Sequence, residues 1–111
     1  MVANLNKLKC TPCSGKTPKL THGEISINLN KLSDWSINDE KEMLFKKFTF
    51  KTFKAALNFT NSVGDLADKE GHHPDISLGF GYCLIMIHTH AIKGLSINDF
   101  VLAAKIDLID L

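Results

Sequence analysis

The stretch "EGHHPDI" (70–76) sets two imidazoles, His72 and His73, side by side and follows them with Pro74. A little further on, "HTHA" (88–91) adds His88 and His90 around Thr89, so four of the five histidines fall between residues 72 and 90. Imidazole titrates near neutral pH. Several imidazoles around one small molecule can therefore divide the work of acid, base and orienting donor. Pro74 fixes its own φ and restricts the residue before it, which stiffens the way His73 leaves the chain. His88 shares the parity of His90 and stands as a neighbour of that chemistry. His22, at the start of a helix, reads as structural.

The same residue types can hold a metal. Cys10 and Cys13 make a Cys-x-x-Cys, half of a zinc site that histidines could complete. No second such pair and no histidine pair at finger spacing follow it, and neighbouring histidines on an extended segment point apart. Proton transfer is the better reading and a small zinc-binding domain the alternative, so no metal ligand is assigned. Cys83 lies in the middle of the apolar run "YCLIMI" and reads as core rather than nucleophile. Asp99 stands three residues after Ser96, the spacing of a helix-capping partner, with a place beside the site as the alternative. No nucleophile elbow, phosphate loop or dinucleotide fingerprint occurs.

These groups need elements to hold them. Residues 1–20 contain two of the three prolines and no clear period, and read as an extended or loosely ordered arm preceding one domain over 21–111. Thr21 and Glu24 have capping-box spacing and open a short helix from His22 to about Lys31. "WSIN" (35–38) and "EMLFKKFTF" (42–50) read as strands joined by the turn-forming "NDEK". From Thr52 to about Glu70 the period is helical, with Phe53, Ala56, Leu57, Val63, Leu66 and Ala67 on one face and Gly71 at the cap position. Residues 82–90 alternate as an inner strand, with His88 and His90 on the same face. After the turn "IKGL", Ser96 caps a last helix running to about Asp110. Helix, two strands, long helix, two strands and helix predict an α+β two-layer sandwich. Its sheet has about four mainly antiparallel strands, and the helices pack on one face.

The composition bounds the function. The chain has 111 residues, one domain's worth, with 13 basic and 12 acidic side chains and a net charge of +1. That balance argues against a protein that lives on phosphate contacts, so no direct nucleic-acid partner is expected. Three cysteines cannot all pair within one chain, and no apolar run is long enough to span a bilayer. A cytoplasmic, membrane-free setting is the expectation.

"EGHHPDI" followed by "THAIKGLSINDFVLAAKID" resembles the pterin-4a-carbinolamine dehydratase family. The likeness extends upstream through "FKTFKAALNFTNSVGDLADKEGHHP" and Trp35, and the arm "CTPCSGKTPKLT" is similar to the opening of many microbial members. The resemblance implies a small α+β sandwich that associates into homodimers or homotetramers. It implies loss of water from a 4a-hydroxytetrahydropterin to give the quinonoid dihydropterin, a step of tetrahydropterin recycling, without metal or cofactor. Carried over position by position, the catalytic histidines are His72, His73 and His90. The substrate contacts are His72, His73, Pro74, Thr89, His90, Ala91 and Ile92.

Departures from the animal pattern are Ile76 where Trp is frequent, Asp68 where Glu is common, and His88 where a small residue is usual. Some animal members also stabilise a transcription factor's dimer, so a non-catalytic binding module of the same fold is a further alternative.

Overall fold

The computed structural model describes residues 5–10 and 17–111. Cys13, half of the possible thiol pair, lies outside them. Thr21 caps α1 (His22–Leu29). Its hydroxyl accepts the Glu24 N–H at 3.2 Å, and the Glu24 carboxylate accepts the Thr21 N–H at 2.9 Å. The helix stops two residues short of the expected end. Two short strands follow, β1 (Ser36–Ile37) and β2 (Leu44–Thr49). In the turn between them the Asn38 carboxamide oxygen accepts the N–H groups of Glu42 and Met43 at 2.8 and 3.0 Å.

Thr52 caps the long helix α2 (Phe53–Glu70) by accepting the Ala55 N–H at 3.0 Å. Of the expected apolar face, Ala56, Val63 and Ala67 are buried, while Phe53 is exposed. Phe59, which the expected face did not include, is buried. Its ring lies 4.5 Å from Phe48 and 5.4 Å from Phe50, centroid to centroid.

After α2 come the hairpin strands β3 (Asp75–Gly79) and β4 (Tyr82–Ile87). The sheet order is β1-β2-β4-β3, antiparallel throughout, so β4 is an inner strand as its alternation predicts. Cys83, Ile85 and Ile87 are buried, whereas Tyr82, Leu84 and Met86 are half-buried on the opposite face. The α+β sandwich is therefore as expected. The strand itself ends earlier than expected, at Ile87 rather than at residue 90. Thr89 instead makes an isolated bridge to Gly94, and His90–Ile92 turn as one short 3-10 segment. The backbone of Thr89 is satisfied by that reversal, so the ladder cannot continue through it.

The last helix, α3 (Ile97–Ile106), buries Phe100, Val101, Leu102, Ala103 and Ile106. It also ends before the expected Asp110, at the cap residue Asp107, whose N–H still bonds Ala103 O while the N–H groups of Leu108 and Ile109 bond three residues back. The Asp107 carboxylate accepts from Trp35 Nε1 at 3.0 Å and from Lys46 Nζ at 2.8 Å. Lys46 stands 4.7 Å over the Phe48 ring. This cluster ties the C-terminal end of α3 to β2 and to the segment before β1. Among the described residues no helix is long and apolar enough to cross a membrane.

The described part of residues 1–20 does not float. Leu5 is buried in the core, and the Leu20 N–H donates to Leu95 O at 2.9 Å. The Cys10 N–H donates to Glu70 at 3.2 Å, and Glu70 also holds Lys105 of α3 at 2.9 Å. The Lys105 ammonium lowers the Glu70 carboxyl from its usual value against the opposing effect of burial, and the Cys10 N–H adds to the lowering. A carboxyl lowered in the fold contributes stability above its unfolded value and loses it as pH falls through the folded one. Glu70→Gln should therefore lower the urea midpoint at pH 7, and its gap from the parent should close as pH drops below about 4. An equal gap at both ends of a pH series of urea melts would refute this account.

Candidate functional site

The site begins where α2 stops. Gly71 takes φ of 67°, a left-handed conformation that glycine adopts without a Cβ penalty. Its N–H reaches Asp68 O and the His72 N–H reaches Ala67 O, each at 3.3 Å. This pair of bonds is the Schellman ending, in which the second residue past the helix is still bonded to its last turn. His72 is that residue, so its backbone is set by the helix rather than by a loop.

Its side chain is set by α3. His72 Nε2 lies 2.6 Å from Asp99 Oδ1, with His72 only 6% exposed and Asp99 fully buried. The other oxygen, Asp99 Oδ2, accepts the Thr89 hydroxyl and the Ser96 N–H, both at 2.8 Å. Since the Thr89 hydroxyl donates to the carboxylate, the Ser96 hydroxyl is the donor in their 2.9 Å contact. Among the described residues no buried side-chain N or O lacks a partner. An ionised carboxylate only accepts, so His72 Nε2 carries its hydrogen toward Asp99. Asp99 thus both caps α3 and orients the imidazole of His72.

The other histidines sit in different surroundings. His73 is exposed and meets Asp68 at 2.9 Å. His88 meets Asp75 at 3.1 Å, and its ring lies 4.0 Å from that of the exposed His90. His72, His73, His88, Thr89, His90, Ala91 and Gly71 line one cavity of about 270 Å3. A neighbouring hollow of about 510 Å3 runs along α2 and β3, and its walls include His73, Pro74, Ile76 and Asp68. His73 borders both. Of the expected contacts, Pro74 belongs to the second hollow, and Ile92 lines neither. Asp75 and the bonding role of Ser96 were missed by sequence reasoning. The Asp75 pairing with Met86 could have been found by counting back across the two-residue turn Phe80–Gly81.

Among the described residues, neither Cys10 nor Cys83 lines this cavity. Burial pushes the Cys83 thiol pKa up, and the Thr60 hydroxyl donated to it at 3.2 Å opposes the rise only partly. Cys83 is core. Cys10 Sγ lies 3.6 Å from Asn98 O, beside the start of α3.

Residues 18–109 match the family model described as Pterin 4 alpha carbinolamine dehydratase. The chain belongs to that family. Two bacterial relatives carry the same dehydratase name. A protein of Alkaliphilus metalliredigens is 48% identical over 105 residues, covering 94% of either chain. One of Methylococcus capsulatus is 44% identical over 104 residues, covering 94% of this chain and 91% of its own. Among solved structures, a transcriptional coactivator/pterin dehydratase from Brucella melitensis superposes with a TM-score of 0.77 at 28% identity. That alignment covers 81% of this chain and 96% of the other.

The buried bonds make a test of how this dehydratase-family site is held. Thr89→Val removes a donor to Asp99 and the acceptor of the Ser96 hydroxyl, and should cost about 1–3 kcal/mol in urea melts. Thr89→Ser, which keeps the hydroxyl, should recover most of that loss. A Val variant as stable as the parent would mean that this hydrogen-bond ring contributes nothing.

Proposed function

We propose that this chain is a hydro-lyase that converts 4a-hydroxytetrahydropterins, of the tetrahydrobiopterin type, to quinonoid dihydropterins. The observation that carries the reading is the buried His72–Asp99 pair at 2.6 Å, placed in the wall of a cavity that three more histidines border. The reaction breaks the C4a–O bond and forms a C4a=N5 double bond. The hydroxyl must leave as water, so an acid protonates it, and a base takes the hydrogen from N5. The two protons move at neighbouring atoms of one small heterocycle, which calls for more than one positioned imidazole.

In this reading His72 is the principal proton-transfer group. Its orientation is imposed by Asp99, so it meets the substrate without first ordering its ring. His90 and His73 share the opposite proton and the orientation of the ring. Both are more exposed than His72, which suits groups that must exchange their protons with water between turnovers. Thr89, Ala91 and Pro74 form the surrounding contacts. Ile76 and Asp68 border the second hollow, the side on which the pterin's substituent is accommodated. The step needs no cofactor. Self-association into dimers or tetramers and a cytoplasmic setting belong to the same reading.

The test is the ultraviolet spectrum of freshly generated 4a-hydroxytetrahydropterin with and without the protein. His72→Ala and His90→Ala should each slow the dehydration by about 100- to 10,000-fold, the usual worth of a positioned acid or base. His22→Ala should retain the parent rate. Parent-like rates in both site variants would sink the assignment. No acceleration by the parent protein at all would favour the binding module.

A further inference from the structure

The hairpin of β3 and β4 gathers a second set of donor atoms beside the dehydration site. Asp75, the first residue of β3, pairs with Met86. It therefore shares the face of Met86 and His88, opposite to that of the buried Ile85 and Ile87. Its Oδ2 lies 3.1 Å from His88 Nε2, and the His90 ring stands 4.0 Å from the His88 ring at an interplanar angle of 64°. One carboxylate oxygen and two imidazole nitrogens, one from each residue, all lie within 4.8 Å of one another. An ion bound at about 2.1 Å from its ligands holds neighbouring donors about 3.0 Å apart when octahedral and about 3.4 Å when tetrahedral. The Asp75–His88 edge already has that length. His90 is exposed, so a rotation of its side chain closes the remaining gap without disturbing the core.

We propose that Asp75, His88 and His90 form a binding site for one divalent first-row transition ion. Two nitrogens and one carboxylate suit the ions from manganese to zinc, whereas magnesium and calcium prefer oxygen throughout. Three protein ligands leave positions open, and the cavity of about 270 Å3 that His88 and His90 border has room for water or an oxygen-bearing ligand there. His90 belongs to both sets of residues, so a bound ion and pterin dehydration exclude one another. That consequence, unlike the ion site itself, rests on the proposed function.

The experiment is calorimetric titration of the untagged full chain with Ni2+, Co2+ and Mn2+, in a Cys10→Ser, Cys13→Ser background that removes the thiols. One ion per chain is expected, with affinity falling from nickel to cobalt to manganese. Asp75→Asn and His88→Gln should each weaken Ni2+ binding by at least about tenfold. Asp75 is exposed, so its variant keeps the fold, to be checked by circular dichroism, and the Co2+ absorption bands give a second readout. Absence of saturable binding, or binding undiminished in both variants, would overturn the site.

In the dehydration assay, Ni2+ should abolish the rate with the calorimetric midpoint, and a chelator should restore it. Binding without loss of rate would support the ion site and remove His90 from the pterin chemistry. A chain that never dehydrates would sink the dehydratase reading, while the titration would still decide the ion site.

Discussion

The carboxylate of Asp99 is the constraint on which the rest of the site depends. It is fully buried, and a buried charge is tolerable only when its lone pairs are used. Here the Thr89 hydroxyl, the Ser96 N–H and His72 all converge on it. Those partners come from three places: the segment after β4, the start of α3, and the residue just past α2. One desolvated group therefore fixes three chain segments relative to one another. The cost of leaving any of them unpaired enforces the cavity's shape more firmly than apolar packing alone would. The far end of α3 is held by Asp107 against Trp35 and Lys46, so the helix that carries Asp99 is anchored at both ends.

The four clustered histidines consequently differ in kind although they are close in sequence. His72 is buried and oriented by an inner carboxylate, whereas His73 and Asp68 meet at the surface. His88 and His90 lie beyond the end of β4 and lean on each other and on Asp75. A pocket of this kind has one rigid wall and one adaptable wall.

Much of this was legible in the residues, and the failures have physical causes. Local signals were reliable: Thr21 with Glu24, Ser96 with Asp99, and Gly71 each act within a few residues, and each cap or stop stands where spacing placed it. The alternation of residues 82–87 likewise revealed an inner strand. What escaped were the places where distant partners overrule local pattern. The parity of His88 and His90 continues that of β4, but Thr89 bonds to Gly94 and the ladder stops at Ile87. Phe59 is buried against the rings of Phe48 and Phe50, contacts that helical period alone does not show. Asp99 was seen as a cap or a neighbour of the site, and spacing has no way to show that one oxygen meets His72 while the other bonds Thr89 and Ser96.

The Schellman ending of α2 gives this helix a metrological role. His72 is hydrogen-bonded to the last turn, so its bearing around the helix axis is counted out residue by residue from Thr52. Each residue advances the count by about 100° and 1.5 Å. A single insertion or deletion anywhere in 53–70 would turn the imidazole away from Asp99, though the helix itself would survive. The turn at 38–43 carries no such count and can change length at little cost to the site. The helix is the gauge by which the chain measures where its buried histidine must stand.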